Sequence, residues 1–272
     1  MIVNIAGYKF IDINNAEEMK EIFLNKCLDL RLKGTIYFSE NGVNFFIAGT
    51  QEMIDKYVNF MHLDKRLTGI SLKKSYTEYQ PFRRMIVKKK NEIISLGLDE
   101  VRPVEYTSPS IKPKQLKKWL DEERDILLLD TRNDYELRIG TFENAVDLDI
   151  KTFREFPTAL KELNTDKNKT VVMFCTGGIR CEKASVVMEN QGWNNVFQLE
   201  GGVLNYFEEV GGEHWNGDCF VFDQRVALNS ELEETEIEMC FICREPLSKE
   251  EQESEEYKIL EYCPYCVNKN NK

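Results

Sequence analysis

Val171-Val172-Met173-Phe174-Cys175-Thr176-Gly177-Gly178-Ile179-Arg180-Cys181-Glu182 decides how the middle of the chain folds. Four consecutive apolar residues before a cysteine and two glycines read as a strand buried on both faces, the kind found in a parallel sheet covered by helices. The strand ends at Cys175, on the edge where open α/β sheets place their ligands. Gly177 and Gly178 let the backbone curl, so that N–H groups of the loop Thr176, Gly177, Gly178 and Ile179 turn inward at the sulfur. The helix that follows adds its positive end. Both effects favour thiolate over thiol, and a low-pKa, accessible cysteine is a nucleophile. Packing alone needs neither the glycine pair nor Arg180, which completes an electropositive cradle. Cys181, just past the loop, reads either as a thiol that resolves an oxidised Cys175 or as a helix-start residue turned toward the core.

Working outward, the same pattern continues on both sides. A helix over 115–123, a buried run over 126–129, a loop through Gly140, the strand 171–174 and a helix over 182–190 follow one another. The strand 196–198, the turn Gly201-Gly202 and the helix 203–210 complete a parallel α/β unit. Upstream, Arg102-Pro103, Thr107-Ser108-Pro109-Ser110 and Lys112-Pro113 break periodicity and mark a boundary. Before it, strands over 8–13, 34–38, 43–48 and 70–76 alternate with helices over 16–32 and 51–61. That β-α-β-β-α-β order is the ferredoxin-like split unit. It carries no acid/base, cysteine-rich or glycine-rich cluster, which points to binding more than catalysis. The predicted domains are therefore 1–98, a linker over 99–113, 114–212, and an acidic segment over 213–272. No internal repeat is present.

With 272 residues, two or three packed units are expected, and 42% hydrophobic with 31% charged residues is the composition of a soluble globular protein. No apolar run reaches the ~20 residues that span a bilayer, and Met1-Ile2-Val3-Asn4 does not begin a signal peptide, so the cytosol is the expected compartment. There thiols stay reduced, and eight cysteines suggest metal binding or thiol chemistry. The net charge of −11 is segregated: +4 over 1–98, −6 over 99–212, −11 over 213–256 and +2 over 257–272. Residues 65–90 hold nine basic side chains against the single acid Glu78. A local basic surface thus sits on an acidic protein.

The acidic segment carries Cys240-Phe241-Ile242-Cys243 and Cys263-Pro264-Tyr265-Cys266. Two CxxC pairs 19 residues apart have the spacing of a four-thiolate zinc site. Cys240, Cys243, Cys263 and Cys266 are predicted to hold a structural Zn²⁺, because so short and acidic a segment buries little core without a staple. The alternative is unliganded or oxidised thiols. Cys219 reads as a packing residue, His62 as a helix-end surface residue, and His214 is undetermined. No flavin or nicotinamide fingerprint and no His/His/carboxylate set for iron is visible.

The loop Cys175-Thr176-Gly177-Gly178-Ile179-Arg180, the upstream Leu128-Leu129-Asp130-Thr131-Arg132 with Glu136, and Leu199-Glu200-Gly201-Gly202 resemble a rhodanese domain. In that superfamily the first loop residue carries a persulfide or a related species. Asp130, Arg132 and Glu136 read as braces that form ion pairs. The chain departs from commoner rhodaneses at Thr141, where many members have histidine. Four residues between Cys175 and Arg180 match sulfur-handling loops, whereas the related cysteine phosphatases have five, which speaks against a phosphatase. An N-terminal ferredoxin-like unit, the decapeptide 175–184, Gly217-Asp218-Cys219-Phe220-Val221-Phe222-Asp223 and paired CxxC motifs together resemble the bacterial oxygen-dependent tRNA uridine hydroxylases over about 1–266. The resemblance implies conversion of the wobble uridine to 5-hydroxyuridine, with molecular oxygen as co-substrate and tRNA, through its anticodon region, as partner. It assigns the chemistry to Cys175, with Arg180 and Cys181 beside it. The other reading is a sulfurtransferase or persulfide carrier acting on a small sulfane donor. Lys73, Lys74, Arg83, Arg84, Lys88, Lys89 and Lys90 are the candidate phosphate contacts, with Tyr76, Tyr79 and Phe82 interleaved for stacking on unpaired bases. The plainer alternatives are a solvated edge strand and partial core packing. No protein partner is inferable.

Overall fold

Val3 and Ile5 on one strand, with Val43, Phe45 and Ile47 on its neighbour, give the N-terminal sheet one apolar face, and two helices fold onto it. The computed structural model of the protein describes residues 1–269, and two units, Met1–Ser108 and a second from Pro109, divide the chain. The first runs β1 (Ile2–Phe10), α1 (Ala16–Asp29), β2 (Lys33–Ser39), β3 (Gly42–Gly49), α2 (Gln51–Met61), β4 (Lys73–Thr77) and β5 (Met85–Lys89). The sheet order is β4-β1-β3-β2-β5, antiparallel except for the parallel pair β2 and β5. Met19, Phe23 and Cys27 of α1 and Ile54, Tyr57 and Met61 of α2 bury against this face. The Thr50 hydroxyl accepts the Met53 amide at 3.4 Å and caps α2.

Element boundaries and the number of strands differ from the sequence expectation. The first strand begins at Ile2, because Ala6-Gly7 interrupts its apolar alternation without interrupting its pairing. A fifth strand, β5, follows the expected four, and it contains Lys88 and Lys89 of the basic run.

The second unit runs β6 (Ser110–Ile111), α3 (Pro113–Asp121), β7 (Ile126–Asp130), α4 (Asp134–Leu137), β8 (Gly140–Phe142), α5 (Phe156–Glu162), β9 (Thr170–Phe174), α6 (Ile179–Asn190), β10 (Val196–Leu199) and α7 (Gly202–Val210). The parallel sheet has the order β6-β10-β9-β7. Helices α3 and α7 pack together beside Leu128, Val172, Phe174 and Leu199, while α5 packs with α6. Alternate residues of each strand thus face opposite helix layers.

After α7 come β11 (Trp215–Gly217), β12 (Cys219–Phe220), β13 (Ala227–Leu228), β14 (Glu238–Met239), β15 (Pro246–Leu247) and α8 (Lys249–Gln252). β11 pairs antiparallel with β8, and Trp215 and Cys219 join the apolar cluster of the parallel sheet. The Phe142 ring meets Phe174, Tyr206 and Trp215 edge-on at 4.9, 4.7 and 5.0 Å. This core therefore continues past Gly212, where the sequence predicts the acidic segment to begin. It also draws β6 out of the expected 99–113 linker. Apolar residues too sparse to show periodicity are responsible in both places. No helix among the described residues is long and apolar enough to cross a membrane.

Candidate active site

Cys175 directly follows β9, and the loop after it closes in three steps. Gly178 adopts φ +98°, a conformation that costs an L side chain, and its amide donates to Cys175 Sγ at 3.1 Å. α6 then starts at Ile179, directing its positive end at the sulfur. From the other side, the amides of Val203 and Leu204 in the first turn of α7 donate to the Cys175 and Thr176 carbonyls at 3.0 and 3.1 Å. That approach depends on Gly202, where an added Cβ would stand 2.4 Å from the Cys175 carbonyl oxygen. The Gly201-Gly202 turn and the Cys175 loop are one structure.

Arg180, 4% exposed, does not reach into an open cradle as the sequence suggests. Its guanidinium is held by Glu136 through Nη1–Oε2 at 2.5 Å and Nη2–Oε1 at 2.7 Å. Burial raises the Glu136 carboxyl, yet Arg180 outweighs it and holds the group below its ordinary value. From that position Arg180 acts on Cys175 by its charge and its backbone amide. Burial also opposes charge on Cys175. The Cys181 thiol donating to it, the Arg180 charge and the amides of Arg180 and Gly178 prevail, and hold Cys175 well below the ordinary thiol range. Cys181 moves the opposite way: burial and the neighbouring Cys175 sulfur push it up, so it is the proton-bearing partner. Cys181 Sγ also lies 3.7 Å from Thr131 Oγ1, whose own proton goes to the Phe174 carbonyl at 2.9 Å.

The expectation of an accessible sulfur is corrected, since Cys175 and Cys181 are both 0% exposed. The segment around β12 crosses the loop, the Thr176 hydroxyl donates to the Phe220 carbonyl at 3.3 Å, and the Phe222 ring lies 5.8 Å from the Arg180 guanidinium carbon. Thr131, Phe220 and Phe222 belong to motifs that carry the family resemblance, but no spacing in the sequence marks them as neighbours of the loop. Asp130 and Arg132 form the second buried ion pair, with Arg132 Nη2 2.6 Å from Asp130 Oδ2. The Thr141 hydroxyl donates to the same Asp130 oxygen at 2.8 Å.

The four tail cysteines come together. Sγ–Sγ separations are 4.0 Å for Cys240 and Cys266, 3.5 Å for Cys243 and Cys263, and 3.7 Å for Cys263 and Cys266. Four sulfurs at ~2.3 Å around one zinc ion stand about 3.8 Å apart, so the donor set fits a tetrahedral thiolate site. Burial raises the Cys240 thiol, but the amides of Cys243 and Ile242 bring it down to about 7. Cys219 packs in the core, where burial pushes its thiol up to about 12. His62 caps α2 and His214 hydrogen-bonds Asp121 at 2.8 Å.

The basic residues are not brought into one patch. Lys73 and Lys74 lie on β4 and Lys88 and Lys89 on β5, the two opposite edges of the five-stranded sheet. Arg83 and Arg84 precede β5 and are exposed, Lys89 pairs with Glu40 at 3.3 Å, and Lys90 lies 5.5 Å over the Tyr37 ring. Tyr76 and Tyr79 are exposed, at 54% and 43%.

A cysteine-bearing loop at the carboxyl edge of a parallel sheet, braced by a buried Arg–Glu pair, is rhodanese architecture, and the family model described as "Rhodanese-like domain" matches residues 112–209. Residues 2–93 match the "UPF0176 acylphosphatase like domain". Over nearly its whole length the chain is similar to proteins named tRNA uridine(34) hydroxylase. That of Cupriavidus pinatubonensis is 46% identical over 99% of this chain and 98% of the relative. Those of Ralstonia nicotianae (45%, covering 98% and 96%) and Burkholderia cenocepacia (44%, covering 98% and 97%) follow. The chain belongs to the tRNA uridine(34) hydroxylase family.

The site geometry sets a pH signature. Cys175 is held below the ordinary thiol range, so the pH midpoint of its alkylation rate, followed by peptide mass spectrometry, should lie below that of an ordinary thiol. In Cys181→Ala the donated hydrogen bond is gone, and that midpoint should move up. A native profile that climbs with a midpoint near the ordinary ~8.5 would contradict the thiolate assignment.

Proposed function

We propose that this chain hydroxylates uridine 34 of tRNA, with Cys175 as the reacting group, molecular oxygen as co-substrate and 5-hydroxyuridine as product. The observation that carries this reading is that similarity to the named hydroxylases extends over both units and the cysteine-rich tail, while the loop donors hold the Cys175 thiol well below its ordinary range. A rhodanese loop by itself serves sulfur transfer equally well, and fold alone does not select between the two. The full-length relatives favour hydroxylation over the sulfurtransferase alternative. Cys175 acts as the nucleophile, Arg180 and the loop amides hold its charge, and Cys181 supplies or retrieves a proton at Sγ; placing one atom of O2 on the base draws two electrons from an external reductant, and the other oxygen atom leaves as water. Because both sulfurs are buried, the unpaired base has to enter as the crossing segment parts from the loop. The cytosol is the compartment in which such an enzyme meets tRNA.

Two further parts belong to the proposal. Lys73, Lys74, Arg83, Arg84 and Lys88 to Lys90 contact tRNA phosphates, supported by the basic excess of this unit on an acidic chain. Their distribution over two sheet edges suits a folded RNA wider than one strand. Cys240, Cys243, Cys263 and Cys266 hold one structural Zn²⁺, supported by their sulfur separations and by amides directed at the first cysteine of each pair. Zinc there replaces the apolar core that the acidic tail lacks.

Three measurements test these parts. Purified Cys175→Ala protein should form no 5-hydroxyuridine while its circular dichroism and melting stay native, and full activity in that variant would overturn the assignment. Reversing Lys88, Lys89 and Lys90 to Glu should weaken tRNA binding and lower the slope of log K against log salt by roughly one unit per lost phosphate contact. An unchanged slope would return these lysines to a solvated edge. Protein purified without added metal should contain one zinc per chain, and chelation should speed hydrogen exchange over 238–266 while the parallel sheet stays protected. A metal-free chain that is indifferent to chelator would remove zinc from the account.

A further inference from the structure

α4 is four residues long, too short to hold itself, yet it carries Glu136, the buried partner of Arg180. Its start is tied down locally. The Asn133 amide donates to Glu136 Oε2 at 3.1 Å, the Asp134 amide to the Ile150 carbonyl at 2.9 Å, and Lys151 pairs with the Asp134 carboxylate at 2.5 Å. Its end is held by the cysteine-rich tail. Arg138, the residue just past the helix, places Nη2 2.6 Å from Glu245 Oε2 and its guanidinium carbon 4.0 Å from the centroid of the Tyr265 ring.

The two contacts come from different halves of the four-cysteine centre. Glu245 follows the first pair, and its carbonyl accepts the Cys240 amide at 2.9 Å. Tyr265 lies inside the second pair, between Cys263 and Cys266. Carboxylate and ring make one clamp only while both CxxC turns stay together, and little core holds them: the apolar cluster here is the four cysteines, Leu247 and three tyrosines. An exposed ion pair alone contributes ~0–1 kcal/mol, but a planar guanidinium stacked on a ring and paired with a carboxylate is fixed in orientation as well.

We infer that Arg138 is a positioning residue through which the metal centre holds α4, and with it the Glu136–Arg180 pair, against the Cys175 loop. The inference rests on the readings of the four cysteines as a metal site and of Cys175 as the reacting group. It gives the tail a role in catalysis 60 to 90 residues along the chain from the loop it serves. No ligand of the metal touches the sulfur, and the link is mechanical: metal, CxxC turns, Arg138, α4, Glu136, Arg180.

The test uses the full chain and Arg138→Met, which keeps the length of the side chain and removes its charge and plane. The variant should still contain one zinc, while amides 134–138 and 176–180 exchange at least about tenfold faster. Hydroxylation of tRNA should show kcat lowered about tenfold with KM for tRNA within twofold, since loop geometry and not tRNA binding has changed. Arg138→Lys, which keeps the pairing with Glu245, should recover part of kcat. Chelating the unaltered chain should reproduce the faster exchange at 134–138, and chelating Arg138→Met should add nothing further there. A zinc-loaded Arg138→Met protein whose 134–138 and 176–180 amides exchange as in the unaltered chain overturns the link alone. An unaltered chain that holds no metal overturns the metal reading and the link with it.

Discussion

Arg180 and Glu136 meet through two short hydrogen bonds in a place that water does not reach, and the chemistry of the loop depends on that meeting. Taking either ion out of water alone costs several kcal/mol, and breaking such a pair typically costs about 3–5 kcal/mol. The pair is therefore kept whole, and its net charge near the sulfur is small. What it fixes is direction: Arg180 presents its backbone amide and its field to Cys175 while Glu136 holds its far end. Charge on Cys175 adds a third to this buried site, and the donors Gly178, Arg180 and Cys181 lower its cost, which brings the thiol below its ordinary range. Removing water strengthens each of these interactions and also makes any missing one expensive.

A second buried pair repeats the arrangement one strand away. Arg132 and Asp130 are both fully buried, and Arg132 Nη2 also donates to the Gly140 carbonyl at 2.6 Å. Arg132 Nη1 has no acceptor, and the guanidinium carbon instead lies 5.8 and 5.1 Å from the Phe174 and Trp215 rings. Thr141 fits this setting because its hydroxyl donates to Asp130. The residue that departs from commoner rhodaneses thus braces an ion pair. Trp215 arrives from beyond the last helix of the parallel unit, so the acidic stretch that follows is stitched into the domain it seemed to leave.

The two units divide the labour by charge. The N-terminal sheet carries basic residues on its edge strands, while the second unit is acidic and carries Cys175. The sheet's fifth strand widens it by about 4.8 Å and puts Lys88 and Lys89 at a new edge.

Much of this was legible in the sequence, because local rules govern it. Continuous apolar runs between helices can pack only as buried parallel strands, so the central sheet and the position of Cys175 at its edge follow from residues 126–210. The CxxC spacing brings four sulfurs together by the same kind of short-range geometry. What required the tertiary structure was every contact between segments distant in the chain. Arg180 turns to Glu136 and not into an open cradle because the carboxylate lies 44 residues upstream and becomes its neighbour only when α4 meets the loop. Cys175 is buried because residues 219–222 cross it, a return path that no periodicity announces. The lysines of one basic run part to opposite edges because strand order, unlike strand identity, is set by which edges find partners. Sequence alone determined the helices and buried strands of the central sheet and the position of Cys175 at its edge, since these depend on neighbours within a few residues. The folded chain decided what surrounds that sulfur, since buried charges choose partners by proximity in space.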